Sequence, residues 1–338
     1  MSRKWRPPHN LGIKGKKQRD SGRQFCMDSF LQRQIALEVY YLGWAYHGFA
    51  SQTDIQATVE GQLFAALRRT WLIEEGMGWE ALGYSRCGRT DKGVSALCQV
   101  VALRVRSIAR AGDVEPAPCD ELDYPALVNR ALPGDIRVLG WAPVPTDFSA
   151  RFSTLHRTYR YFIVQDGSLD VAAMRAAAAA LLGEHDFRHF CKVDVSKPAS
   201  YRRRILEADV LDLQASGPAG ASSMLALHLR GTAFLWHQVR CIAAVLLLVG
   251  RGLEAPGVIA RLLDVQRLPR KPQYCLAPEE PLLLYECAYS ALRFMRSAND
   301  HARTLAAVRR RLHRQLEGAA LLQAAVLKQV KFSAAARI

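Results

Sequence analysis

The chain has 338 residues, half of them apolar, which is long for one domain and supplies a sizeable core. Its formal charge of +15 sits at the ends: residues 1–33 hold nine Lys/Arg against Asp20 and Asp28, residues 293–338 hold ten against Asp300 and Glu317, and 34–292 is formally neutral. The excess points to a polyanionic partner, with solvated basic tails as the plain alternative. The longest apolar run, "CIAAVLLLVG" (241–250), is about half the length of a bilayer span, so no membrane anchor is expected. Eight cysteines without a C-x-x-C pair, and no N-x-S/T sequon, indicate a reducing intracellular setting.

In chain order, residues 1–33 read as a basic, disordered arm, broken by Pro7-Pro8. Residues 34–46 read as a strand, and 58–72 as a helix with Thr58 as N-cap and Val59, Leu63 and Leu67 at helical spacing. A strand toward Tyr84, the loop "CGRTDKG" and a strand over 94–106 follow. A short helix at 124–132, stopped by Pro133-Gly134, and a strand from Asp135 complete a β-α-β-β-α-β series. The plan then repeats without repeating the sequence. Residues 156–164 alternate as a strand, Ser168 caps an alanine-rich helix over 169–182, and 202–214 and 222–234 form a hairpin around a turn at 216–220. A buried helix over 236–250 and a strand over 282–290 close the series, and 300–330 reads as a further helix with Leu305, Val308, Leu312 and Leu316 on its inner face. The expected fold is α+β: two ferredoxin-like halves, 34–146 and 147–292, sharing one mainly antiparallel sheet, with a basic helical extension over 293–338.

Three stretches carry candidate chemistry. In "GRTDKG", Gly88 and Gly93 have the spacing of a phosphate-binding loop, but Val94 and Ser95 stand where Lys and Ser/Thr are needed, and a strand follows instead of a helix. A nucleotide loop is excluded. Asp91 remains, flanked by Arg89 and Lys92, whose charges favour its ionised form; an Asx-turn entering the strand is the plain alternative. In "RTYRYF" (157–162) strand alternation puts Arg157, Tyr159 and Tyr161 on one face, a pattern suited to base stacking and phosphate contact or, for the tyrosines, to core filling. In "GTAFLWHQVRC" (231–241) His237 and Arg240 open an apolar helix, and a buried Arg240 requires an anionic partner. His185, His189 and Cys191 lack a second Cys pair and are read as packing and surface residues, so no metal site is expected.

"GRTDKGVSA", "NRALPGDIRV", "FSARFSTLHRTYRYFI", "LLGEHDFRHFC", "AFLWHQVRCI" and "PLLLYEC", in that order over roughly 34–290, resemble the TruA-type family of tRNA pseudouridine synthases. Lys92, Ser95, "FCKVDV" and "KPQY" are most similar to the eukaryotic branch that modifies tRNA positions 38 and 39. The resemblance implies that Asp91 is the catalytic aspartate, that Tyr159 stacks on the target base, and that Arg240 ion-pairs with the aspartate. It implies that Arg89 helps flip the nucleotide and that Leu282 lines the base pocket, with Lys92 and His237 added as substrate-binding residues. It further implies tRNA as partner, a homodimer with tRNA across both subunits, and no metal, nucleotide or other cofactor. With the core formally neutral, the tRNA cleft has to draw on local groups such as Arg202–Arg204.

The rival readings are the same chemistry at another tRNA or RNA position, and a non-catalytic RNA-binding or tRNA-folding protein. The presence of Asp91, Tyr159 and Arg240 together argues against the second. The expected compartment is cytoplasm or nucleus, with mitochondria as the alternative suggested by the basic N-terminus.

Overall fold

A computed structural model describes residues 26–52, 57–165, 167–192, 200–213, 224–290, 292–297, 300–313 and 315. The first half runs β1 (Phe30–Tyr41), α1 (Val59–Arg69), β2 (Ser85–Arg86), β3 (Ser95–Arg110), α2 (Tyr124–Ala131) and β4 (Ile136–Pro143). The second runs β5 (His156–Val164), α3 (Val171–Ala179), β6 (Gly183–Asp186), β7 (Arg202–Leu213), β8 (Met224–Gly231), α4 (Gln238–Gly250), α5 (Val258–Leu263) and β9 (Leu282–Ala288).

The nine strands among the described residues form one sheet in the order β4-β1-β3-β9-β5-β8-β7-β6, with the short β2 also on β3. In each half the four strands of the ferredoxin-like plan stand in the order fourth, first, third, second: β4-β1-β3-β2, and β9-β5-β8-β7. Every pairing is antiparallel except β3 with β9, where Ser95 meets Leu283 and Ala96 meets Leu284. That parallel seam joins the two halves, and the Asp91 loop enters the sheet directly beside it.

Local chemistry starts the helices. The Thr58 hydroxyl accepts from Gly61 N at 3.2 Å, as expected of an N-cap. Asp123 caps α2 through Ala126 N at 3.1 Å, with Pro125 in the first turn, where a missing N–H does no harm. In α3 the cap is Asp170, which accepts from Ala173 N at 2.9 Å, and not Ser168. The reason is position: Asp170 immediately precedes the first helical residue, and its own N–H is anchored on Gly250 O at 2.7 Å.

Two hydrophobic clusters hold the sheet and helices together. Val59, Leu63 and Leu67 of α1 and Tyr124 and Val128 of α2 pack on β1 and β3; Met174 of α3, Ile242 and Leu246 of α4 and Ile259 of α5 pack on β5, β7 and β8. The run 241–250 is therefore a core helix, and among the described residues no helix is long and apolar enough to cross a membrane. The strand β6 and the helix α5 had no counterpart in the sequence reading. The predicted turn at 216–220 lies outside the described residues.

The extension is helical over 300–313 but rotated from the expected register. Leu305 and Leu312 are 41 % and 54 % exposed. Val308 is half-buried, and polar contacts tie the helix to the body: Asp300 accepts from the Asn129 side chain, and Arg311 lies 3.6 Å from Asp135. These anchors, one helical face apart from the leucines, decide the orientation. Arg314 and Leu316 lie outside the described side chains.

Candidate active site

The Asp91 loop is fastened from several directions. The Gln99 side chain brackets Gly88, its Oε1 accepting from Gly88 N at 3.2 Å and its Nε2 donating to Gly88 O at 2.9 Å. Tyr41 and Thr90 share a buried hydroxyl–hydroxyl bond of 2.7 Å. Phe49 N donates to Thr90 O and Gly93 N donates to Tyr46 O, each at 3.1 Å. Val94 N then closes the turn on Asp91 O at 3.2 Å. The glycines of "GRTDKG" have different uses. A Cβ on Gly88 would meet nothing, whereas Gly93 has φ +79° and a Cβ there would lie 2.6 Å from Glu279 Cγ.

Gly93→Ala should therefore destabilise the protein by about 1–2 kcal/mol in urea unfolding, from left-handed strain and the displaced glutamate.

Gly93 N, the donor an Asx-turn at Asp91 would need, goes to Tyr46 O, and the Asp91 carboxylate meets side chains of the α4 region instead. The Trp236 indole N–H donates to Oδ1 at 3.1 Å, and His237 Nε2 lies 3.5 Å from Oδ2. Burial raises the Asp91 pKa above the ordinary carboxylate range. The charges of His237 and Arg240 and the Trp236 hydrogen bond act against the rise, and Glu279 adds to it. Burial also lowers the His237 pKa, opposed by the attraction of Asp91. His237 holds a left-handed backbone, φ 63° and ψ 7°, at the N-cap of α4. Such a conformation in a non-glycine residue is costly and is retained where the surroundings impose it.

Arg240 corrects one expectation. Its guanidinium is buried, but its direct partners are Ala277 O, at 2.8 Å from Nε, and Glu279 Oε2, at 2.7 Å. Asp91 feels it only through space. The segment leading into β9 brings Glu279 between α4 and the Asp91 loop, so the arginine finds a nearer carboxylate there.

Asp91 opens onto a cleft of about 920 Å³ that Arg89, Tyr159, His237 and Leu282 also line. Tyr159 sits edge-on to Phe234, with ring centroids 4.9 Å apart, and burial raises its pKa. Leu282 is 6 % exposed and belongs to the cleft wall. Lys92 is exposed and outside the lining, as is the buried Arg240. The face read from "RTYRYF" divides: Arg157 and Tyr159 reach the cleft, while Tyr161 is core. Arg157 is held there by Cys87 O, Arg151 O and Thr232 O. Of the Arg202–Arg204 group, Arg203 lines the cleft, whereas Arg202 pairs with Glu184 at 2.8 Å.

His189 is buried with Nδ1 2.8 Å from Leu262 O, and His185 Nε2 is 2.7 Å from Leu182 O. Among the described residues no three His, Cys, Asp or Glu side chains gather into a metal-binding group.

Sequence reasoning missed Trp236, Glu279 and Gln99. Trp236 was visible beside His237, but nothing in the local pattern distinguished it from a core aromatic. Glu279 had no signal, since its role depends on the approach of three segments distant in sequence.

A family model described as tRNA pseudouridine synthase matches residues 177–290. A "tRNA pseudouridine(38/39) synthase" of Bos taurus is 45% identical over 287 residues, covering 81% of this chain and 59% of the relative. The protein of the same name in Saccharomyces cerevisiae is 38% identical over 290 residues, covering 84% and 64%. A "tRNA pseudouridine synthase A" of Methanoculleus marisnigri is 35% identical over 256 residues, covering 75% and 82%. The chain thus spans about three fifths of the length of the mammalian relatives it matches. With 35% identity over 82% of the archaeal relative's length, the chain belongs to the tRNA pseudouridine synthase family.

Proposed function

We propose that this chain isomerises uridine to pseudouridine in tRNA, at positions 38 and 39 as the names of its eukaryotic relatives suggest. The observation that carries the reading is the charge distribution in the cleft. Asp91 is the one carboxylate among the described lining residues, and Arg89, Arg151, Arg157 and Arg203 surround the same space, while Arg86 in the wall is paired with the buried Glu60. A single ionisable acid within a ring of arginines suits a polyanionic substrate that has to bring one neutral base to a carboxylate.

In this reading the Asp91 carboxylate starts cleavage of the bond between uracil N1 and ribose C1′, either by attack at C1′ or by removing the C2′ proton to give a glycal. The bond electrons leave with N1. The freed uracil turns over Tyr159 and its C5 bonds to C1′ as the Asp91–C1′ ester bond breaks or, for the glycal, as the proton returns to C2′; the C5 proton then passes to solvent and N1 takes one up. Cleavage and re-formation of one bond each leave the product with the mass of the substrate, and the protein side chains supply the chemistry. Arg89, exposed at the rim, fills the space of the flipped nucleotide. A homodimer with tRNA across both subunits is part of the proposal; light scattering of the purified chain tests it.

Tritium release from tRNA labelled at uracil C5 is the direct test. Label should be released from tRNAs whose only uridine is at 38 or 39. Release only from uridines elsewhere would favour the same chemistry at another position, and binding without release from any tRNA would favour an RNA-binding protein.

Affinity should depend steeply on salt. If the four cleft arginines without a carboxylate partner among the described residues each neutralise a phosphate, tRNA affinity falls by about a hundredfold between 50 and 200 mM salt. Constant affinity over that range contradicts an electrostatic cleft.

A further inference from the structure

The aromatic residue beside the site has no place in the packing of the core. Trp236 is 46 % exposed, yet its indole N–H points inward to Asp91 Oδ1 at 3.1 Å. The left-handed turn at His237 places the two rings side by side, with centroids 4.8 Å apart. Each carboxylate oxygen of Asp91 consequently has its own neighbour, the indole on Oδ1 and the imidazole on Oδ2. The indole is fixed from outside as well: Lys192 Nζ lies 4.6 Å from the ring centre, and Lys192 N donates to Trp236 O at 3.0 Å. A half-exposed tryptophan held this way contributes an oriented N–H, which a phenylalanine of similar bulk would lack.

We propose that Trp236 is a positioning residue for Asp91: its N–H fixes one carboxylate oxygen and leaves the carboxylate aimed into the cleft. The proposal rests on the reading of Asp91 as the reacting carboxylate. A donor to the ionised form favours that form, so removing it should raise the Asp91 pKa. The other groups facing Asp91 are His237 and Arg240 of the α4 region, Glu279 from the segment before β9, and Tyr159 from β5. On its own loop Arg89 and Lys92 flank it, and all of these are unchanged by a substitution at 236.

The test compares wild type with Trp236→Phe and Trp236→Leu, each checked for fold by circular dichroism. For each, single-turnover tritium release is measured against pH, tRNA affinity by filter binding, and the Asp91 titration by carboxyl ¹³C NMR. Trp236→Phe should slow the single-turnover rate by about ten- to a hundredfold, the range of one hydrogen bond to a charged group. The acid limb of the rate profile and the Asp91 titration should both move to higher pH, with tRNA affinity within about twofold of wild type. An unchanged Asp91 titration in Trp236→Phe overturns the proposal. So does a pattern in which Phe behaves as wild type and only Leu weakens tRNA binding, since the ring would then be a stacking surface. If wild type releases no tritium from any tRNA, the catalytic reading fails; the ¹³C titration still decides whether Trp236 controls Asp91.

Discussion

Asp91→Asn should bind tRNA with wild-type affinity and lose at least about 10⁴-fold in single-turnover tritium release, the scale on which removal of a reacting group acts. The substitution is chosen because it keeps the shape: the amide oxygen still accepts from the Trp236 indole, so the loop and the cleft stay in place. The expected effect on stability has the opposite sign to that on activity. Burial raises the Asp91 pKa, so ionising it costs folding free energy. The stability of the protonated form is fully present below the unfolded value, about 3.9, and is lost as pH rises through the folded one. At neutral pH a neutral asparagine should leave the protein at least as stable as wild type by thermal unfolding. With Asp91 reacting as the carboxylate, as proposed, the rate should fall as pH drops through the raised folded pKa, earlier than an ordinary aspartate would dictate. Full tritium release by Asp91→Asn would remove this residue from the reaction.

The second large effect concerns Arg240 and Glu279. Arg240→Met leaves Glu279 without its 2.7 Å partner and withdraws a positive charge that holds Asp91 ionised. The expected cost is about 1–3 kcal/mol in urea unfolding, below that of a fully buried pair because the Glu279 side chain is 28 % exposed. The acid limb of the rate profile should move to higher pH. Glu279→Gln removes a charge that raises the Asp91 pKa, so the limb should move to lower pH, with a smaller loss of stability. In the double variant the two electrostatic effects on Asp91 oppose each other, and the orphaned carboxylate is gone. Its limb should lie between those of the single variants, and its stability above that of Arg240→Met. An acid limb unmoved by Arg240→Met would show that the arginine supports the fold and not the carboxylate.

Much of the architecture was legible along the chain because it rests on short-range rules. Thr58 before Val59, Leu63 and Leu67 states a capped amphipathic helix, and the alternation in 156–164 states a strand; both stand as read. The misses share a cause. At α3, two polar residues competed for one cap, and only the anchoring of Asp170 on Gly250 O decides between them. The leucines of the extension promised an inner face, yet Asp300 and Arg311 turn the helix through bonds to residues more than a hundred positions away. Strand β6 and helix α5 are too short for periodicity to reveal.

The sequence by itself singled out a candidate reacting group, an aspartate between two glycines that fails as a nucleotide loop, and through the resemblance carried by the tyrosine, histidine and arginine motifs in a set order it suggested the class of chemistry. It also determined that any anion-binding surface in the neutral core had to arise by clustering. Which side chains gather was decided only by the tertiary structure. The parallel β3–β9 seam brings the Asp91 loop beside Glu279, and Glu279 takes Arg240. The left-handed turn at His237 delivers the Trp236 N–H to Asp91. A carboxylate interacts with whatever donor lies within about 3 Å, and that distance is set by the meeting of remote segments, which no local pattern encodes.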